Sequence, residues 1–269
     1  MNAKAIFLIS ATLTGLAALS PAHAWPLDGC KFKADRHAQA AIAGAKSIAI
    51  RVGAGDLVIR GQKSGTDISV RGKACAPTAE LLQKTDVSVV REGDVVHISS
   101  VIPSSNKPTD GLLWSASDPY VDIAIDLPQD VPISLEDSSG DILITDIAGG
   151  TIRDSSGDLV VHRVSGNLVV SDSSGDIRIE GVGGKLDLED SSGDINLHDI
   201  KGDVMVESDS SGDINVVNSG ANVTVDTDSS GDLNVDGVAG NFTLGAKGSG
   251  DVNVHGVRGT VSIPDYKKD

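Results

Sequence analysis

Twelve aspartates in one repeated pentapeptide are the residues of this sequence best suited to chemistry. The pentapeptide Asp-Ser-Ser-Gly-Asp occurs six times, and a degenerate seventh copy, Lys-Gly-Ser-Gly-Asp, starts at Lys247. Carboxylate oxygens are good ligands for Ca²⁺, so stacked copies would form two files of candidate calcium ligands. The first file is Asp137, Asp154, Asp172, Asp190, Asp209 and Asp228, and the second is Asp141, Asp158, Asp176, Asp194, Asp213 and Asp232.

The same pentapeptide is also typical of a sharp structural corner. Glycine adopts the positive φ that such a corner needs. Aspartate and serine hydrogen-bond to nearby backbone amides in turns. Two exposed carboxylates ~5 Å apart repel each other by only about 1 kcal/mol in water, so the fold does not require a metal. We therefore favour a structural role for the motif and keep calcium binding as an alternative; no other cofactor is indicated.

The spacing of the motif predicts the fold. Successive copies are 17, 18, 18, 19, 19 and 19 residues apart. Apolar and polar residues alternate after each copy, as in Ile195 and Leu197, which is typical of strands with one buried face. Such a short unit buries its apolar face only by stacking on its neighbours. We predict an all-β, single-domain parallel β-helix (a β-solenoid) with coils of 17–19 residues and a right-handed turn.

Two outward columns of the predicted coils carry polar side chains. One contains His162, Glu180 and His198, which we interpret as a solvated charge ladder rather than a metal site. The other predicts a ladder of amide hydrogen bonds along the solenoid, formed by Asn196, Asn215, Asn234 and Asn253.

The chain divides into four predicted segments. Residues 1–24 have the layout of a secretory signal peptide, with cleavage between Ala24 and Trp25. For residues 25–136 we predict irregular β coils, a short capping helix that begins after Thr78, and a hairpin that turns at Glu92-Gly93. The regular repeats fill 137–263, and a tail follows at 264–269. No later stretch approaches the ~20 apolar residues of a membrane span, so none is expected after signal removal.

The chain has two cysteines, Cys30 and Cys75, and both follow the predicted signal peptide. In an oxidising compartment such a pair predicts a disulfide, and the alternative is two buried thiols. Two cysteines without suitably spaced histidines do not make a zinc site.

The charge of the repeat region limits the partners. Residues 137–263 contain 22 acidic and 7 basic side chains, a net charge of −15. Such a surface repels nucleic acid and anionic lipid, so both are disfavoured as partners, and no nucleic acid is expected.

Three stretches of the chain resemble a known bacterial family. They are "SIAIRVGAGDLVIRG", the strand "VDIAIDLP" followed by "ISLEDSSGDILITDIAGG", and the recurring "SGDIxVxxVxGxVxV". From Lys46 to Ile263 the sequence resembles the β-helical domain of unknown function named "putative adhesin", and it is similar to toastrack-type domains of envelope-stress systems. The resemblance implies a β-helix in the cell envelope and no catalytic residues. The chain lacks the membrane segments of the stress-sensor relatives.

Three classes of function are consistent with this sequence. We expect a non-catalytic exported β-helix, periplasmic or secreted, that acts as a binding, adhesin-like or structural surface for an envelope protein or surface ligand. The alternatives are a calcium-binding solenoid module and an envelope-stress accessory domain. A polysaccharide lyase or hydrolase is disfavoured, because the motif copies are equivalent whereas a catalytic site is singular. Familiar nucleophile, P-loop and zinc-protease motifs do not occur in the chain.

Overall fold

The computed structural model describes residues 30–42, 44–63, 65–104 and 118–264. The predicted signal peptide, its cleavage point at Ala24 and Trp25, and residues 265–269 of the tail lie outside the described residues. The chain begins with an irregular set of elements: β1 (Phe32–Ala41), β2 (Ser47–Arg51), β3 (Leu57–Gln62), β4 (Asp67–Ala76), α1 (Ala79–Lys84), β5 (Asp86–Glu92), β6 (Val95–Val101) and β7 (Tyr120–Pro128).

Regular coils follow from Ile133 and confirm the predicted solenoid. Their strands are β8 (Ile133–Glu136), β9 (Ile142–Ile147), β10 (Gly150–Arg153), β11 (Leu159–Val164), β12 (Leu168–Ser171), β13 (Ile177–Val182), β14 (Leu186–Glu189), β15 (Ile195–Ile200), β16 (Val204–Ser208), β17 (Ile214–Ser219), β18 (Val223–Ser230), β19 (Leu233–Val238), β20 (Phe242–Ser249), β21 (Val252–His255) and β22 (Val261–Ser262). Each motif copy connects an even-numbered strand to the following odd-numbered strand.

The strands form two sheets, each of eleven strands within the described ranges. Sheet A has the order β1-β4-β7-β3-β9-β11-β13-β15-β17-β19-β21. Sheet B has the order β22-β20-β18-β16-β14-β12-β10-β8-β2-β6-β5. From β8 to β22 each strand pairs in parallel with the equivalent strand of the next coil, for example Ile177 with Ile195. The step from 17 to 18 residues falls between β11 and β12, whereas the step from 18 to 19 residues is a β-bulge in β16, where Val206 pairs with Leu188 but Ser208 pairs with Glu189.

The core lies between the two sheets and consists of the apolar columns. Side chains such as Ile179, Leu197 and Val216 are fully buried and stack on one another along the solenoid. Burial of each such side chain contributes about 1.5–3 kcal/mol relative to exposure. Because a column contains the same kind of residue on every coil, the packing of one coil serves as a template for the next.

The irregular elements cover one end of the solenoid. β1 and β4 are antiparallel, and β4 is antiparallel to β7. Thr78 is the N-cap of helix α1, as the sequence predicts, and its side chain accepts the Leu81 N–H. The Arg36 guanidinium fixes this helix on β1 by donating to the carbonyl oxygens of Leu82 and Thr85 at 2.6 and 2.8 Å.

The β5–β6 hairpin and the cysteine pair are part of the same end. The hairpin turns at Gly93 and Asp94, one residue later than expected, because Glu92 still pairs with Val95. Cys30 and Cys75 form a disulfide with Cα atoms 5.8 Å apart. The disulfide links the start of β1 to the end of β4.

The first solenoid coil departs from chain order. The coil made of β2 and β3 lies between β6 and β7 on one side and β8 and β9 on the other. Leu57 is consequently in register with Ile142, 85 positions later in the chain. The strands β6 and β7, which come later in the chain, thus lie between the coil made of β2 and β3 and the capped end of the solenoid.

Candidate functional site

The two aspartates of each motif lie in different environments, and in the first four copies this follows from the alternation of the preceding strand, which continues into the corner. Along β8, Ile133 and Leu135 are buried and Ser134 and Glu136 are exposed, so Asp137 is the next inward position. The second aspartate follows the glycine and faces outward. We call the first set the inner file and the second set the outer file.

The outer file satisfies the backbone of the corner. Each outer carboxylate accepts a hydrogen bond from the backbone N–H of the equivalent aspartate one coil further along, as Asp176 does from Asp194 at 3.0 Å. The N···O distances run from 2.8 to 3.2 Å. The ladder extends beyond the predicted set and comprises Asp122, Asp56, Asp141, Asp158, Asp176, Asp194, Asp213, Asp232 and Asp251.

The inner file is a row of six buried carboxyl groups. Their exposed fractions lie between 0% and 6%. One oxygen of Asp154, Asp172 and Asp190 accepts the backbone N–H of the following serine at 2.7 Å. At least one buried oxygen of every inner aspartate has no hydrogen-bond partner, and Asp137 has two such oxygens.

Burial raises the pKa of every inner aspartate. For Asp137, burial comes first and the charge of Asp154 second, and together they raise the pKa to about 7. Burial raises the pKa of Asp172 and Asp209 to about 6, with a further contribution from neighbouring inner aspartates, although N–H donors of the corner oppose the shift. An unpartnered buried oxygen is costly, and a proton placed between two carboxyl groups removes that cost.

The two ends of the inner file differ. At one end Val52 occupies the equivalent corner position, because Arg51 is in register with Glu136. At the other end Lys247 is in register with Asp228 and lowers its pKa, in opposition to the larger effect of burial. The file therefore begins at an apolar side chain and ends at a cation.

The motif glycines allow the corners to stack closely. Gly193 has a φ of 139°, and a Cβ atom there would lie 1.9 Å from the carbonyl oxygen of Gly175. The equivalent glycine of each other copy meets the preceding corner in the same way. Serine hydroxyls complete the corner, as when Ser230 donates to the Ser210 carbonyl oxygen at 3.0 Å. Every residue type of the motif thus has a structural contact.

The twelve predicted calcium ligands are brought into two files, but the files do not form a metal cage. Among residues 30–264 as described, no group of three or more histidine, cysteine, aspartate or glutamate side chains is placed to hold a metal ion. The unpartnered inner oxygens are buried away from solvent.

Outside the corners, the predicted amide ladder is present on sheet A. Asn215, Asn234 and Asn253 each donate through Nδ2 to the Oδ1 of the preceding asparagine at 3.0–3.2 Å. A shallow groove of about 290 Å³ runs along this ladder, beside Asp236 and His255. His162 and Glu180 are adjacent on the same sheet, with Nδ1 3.4 Å from a carboxylate oxygen.

Comparison with protein families agrees with this architecture. The family model "Toastrack DUF4097" matches residues 45–262. The chain belongs to this toastrack family. No curated protein matches it.

Solved structures similar to this toastrack chain are distant in sequence. A "putative adhesin" from Bacteroides fragilis NCTC 9343 is 16% identical, with 87% of this chain and 98% of that chain covered and a TM-score of 0.46. A "putative cell adhesion protein" from Clostridium sporogenes ATCC 15579 is 15% identical, with 86% and 98% covered and a TM-score of 0.31. A "putative lipid binding protein" from Parabacteroides distasonis ATCC 8503 is 15% identical, with 86% and 97% covered and a TM-score of 0.36.

Sequence reasoning missed three members of the outer file and the burial of the inner file. Asp56, Asp122 and Asp251 all begin the phrase Asp-apolar-x-apolar, so this phrase alone would have found them. The burial of Asp172 was also readable, since Leu168 and Val170 precede it at inward positions of the toastrack coil. A strand period extended by one step past the last apolar residue identifies Asp137, Asp154, Asp172 and Asp190, whereas one extra residue precedes Asp209 and Asp228.

Proposed function

We propose that this toastrack protein is a non-catalytic, exported β-solenoid that acts as a binding surface in the bacterial cell envelope. The observation that supports this proposal most directly is the outward face of sheet A around the amide ladder. There Asn215, Asn234 and Asn253 form a rigid row of hydrogen-bonding groups with an open groove beside it. A flat, repeated row suits contact with an extended macromolecule better than enclosure of a small substrate.

The charge of the solenoid indicates the chemistry of its partner. Residues 137–263 have a net charge of −15, and the groove contains Asp236. Complementary potentials favour a neutral or basic partner and disfavour anionic lipid and nucleic acid. Within the described residues no helix is long and apolar enough to cross a membrane. We therefore infer an envelope protein or a neutral surface ligand as the partner.

The proposal predicts both location and binding. Cells that express the full-length protein should contain it in the periplasmic or secreted fraction, shortened at Ala24. The immobilised protein should retain envelope material, and Asn234→Lys should reduce this retention at least about tenfold, which corresponds to 1.4 kcal/mol or more. Thr224→Lys is the matched control. Thr224 faces outward from β18 in sheet B, and β18 directly precedes β19, the strand that contains Asn234.

Three outcomes would contradict the proposal. The first is retention of the uncleaved chain in the cytoplasm. The second is equal binding by Asn234→Lys and the wild type. The third is release of new chain ends from envelope polymers incubated with the purified protein, which would demonstrate catalysis.

A further inference from the structure

The terminal coil is exposed at the end of the solenoid opposite α1. Among the described residues, β21 pairs only with β19, and β22 pairs only with β20. Both strands therefore have one unpaired edge at this end. Unpaired edges of this kind are sites for pairing with another chain.

The apolar columns are also uncovered there. In the preceding coil, Leu233 and Val235 are at most 1% exposed. In the terminal coil, Val252 and Val254 are only half-buried, although they continue the same columns. Val261 continues the column of Phe242 and is 48% exposed. The solenoid core thus ends in an open apolar surface between two strand edges.

The charge of this end differs from that of the rest of the solenoid. Residues 137–244 contain 21 acidic and 5 basic side chains, a net charge of −16. Residues 245–264 contain Lys247, Arg258 and Asp251, a net charge of +1 with histidine neutral. Two copies that approach along their flanks repel each other, whereas two copies that approach by this end do not.

We propose that the terminal coil is an interface at which a second copy of this chain binds end to end. The occupant of this end must offer two strands with an apolar column between them, because a single extended peptide would cover only one edge. A terminal coil of the same chain has this arrangement. A two-fold axis at right angles to the sheets would place β21 antiparallel to its own copy and would do the same for β22. The interface goes beyond the envelope-binding surface on sheet A and does not depend on it.

Sedimentation velocity of the full-length protein tests this interface. The wild type should change from monomer to dimer over roughly 1–200 µM, the range expected for a small interface. Val261→Lys should raise the dissociation constant at least about tenfold, because two-fold symmetry brings the new charge into the contact twice. Val169→Lys is the matched control: Val169 is 42% exposed on the flank of sheet B and should leave dimerisation unchanged.

A second variant separates loss of the interface from loss of folding. Arg258 is exposed, and Arg258→Glu reverses the charge of the terminal coil without removing a buried group. It should also weaken the dimer while the melting temperature stays that of the wild type. A wild type that remains monomeric throughout the range overturns the proposal, as does an equal effect of Val261→Lys and Val169→Lys. If the wild type is monomeric but dimerises once residues 265–269 are removed, the tail and not a second copy occupies this end, and the proposal is overturned.

Discussion

The inner aspartate file should make this protein less stable as the pH rises from 5 to 8. Burial raises the pKa of Asp137 to about 7 and of Asp172 and Asp209 to about 6. The pKa of an aspartate in an unfolded chain is about 3.9. The folded protein therefore keeps protons that the unfolded chain has released. This contribution to stability is fully present below about pH 4 and is lost as the pH rises through 6 to 7.

The magnitude follows from the number of retained protons. Each proton that the folded state holds in excess changes the free energy of unfolding by about 1.4 kcal/mol per pH unit. Three such protons give a slope of about −4 kcal/mol per pH unit near pH 5. Ion pairs lower the pKa of Glu80, Glu136 and Asp146, so these groups act with the opposite sign only below about pH 5. The interval from pH 5 to 8 consequently reports on the inner file together with Asp122, whose pKa is also raised by burial.

Asp172→Asn isolates one member of the file. In the wild type the Asp172 carboxylate accepts the Ser173 N–H at 2.7 Å. Asparagine keeps an oxygen that accepts this hydrogen bond, but it carries no charge. The variant should be about 2–3 kcal/mol more stable than the wild type at pH 8 and should show a shallower pH slope. Asp176→Asn is the matched control, because Asp176 is the exposed aspartate of the same motif copy and also accepts a backbone N–H.

Urea unfolding at each pH unit from 5 to 8 measures these slopes. High salt screens the general repulsion of the acidic surface but has little effect on buried carboxyl groups, so parallel series at low and high salt separate the two effects. Unfolding free energies that stay constant or rise with pH would refute the reasoning. Equal slopes for Asp172→Asn and the wild type would refute the assignment to this residue.

The remaining predictions concern the corners, the disulfide and calcium. Gly193→Ala should destabilise the protein by more than about 3 kcal/mol, because a Cβ there meets the Gly175 carbonyl oxygen. Gly93→Ala, with φ 63° and open space around it, should cost only about 1 kcal/mol in the same urea titration. Reduction of the Cys30–Cys75 disulfide should lower the unfolding free energy by about 4 kcal/mol, measured with and without dithiothreitol; an unchanged midpoint would contradict this. Melting temperatures in EDTA and in millimolar Ca²⁺ should agree within about 2 °C, and a larger rise in Ca²⁺ would support the calcium hypothesis instead.

Much of the solenoid could be predicted because each coil repeats the same physical requirement. The strand columns, their parallel register, the capping helix after Thr78 and the amide ladder all follow from local patterns repeated at a fixed period. The hairpin turn was predicted one residue early, since Glu92 pairs with Val95 although it lies beside a glycine. Local composition alone does not determine which of two adjacent positions closes a ladder.

The arrangement that the sequence did not reveal depends on contacts between distant segments. The placement of β2 and β3 between two later coils is determined by pairing over 85 positions, and the irregular segment has no regular period to indicate that order. The different environments of the two aspartate files depend on which side of the corner faces the core. Identical residue types in one pentapeptide conceal this difference, and the phase of the preceding strand reveals it only in the copies that no extra residue precedes.

The out-of-order first coil has a consequence for how the chain resists mechanical force. The regular coils are joined only to their neighbours, so tension applied at the C-terminus can peel them away one after another. The strands β2 and β3 are paired on both edges with segments that are synthesised later, and β1 and β4 add antiparallel ladders to the same end. Tension at the N-terminus reaches β1, whose ladder to β4 is reinforced by the Cys30–Cys75 disulfide, before it reaches β2 and β3. A tether attached near β1 would hold the protein under load far longer than one attached near β22.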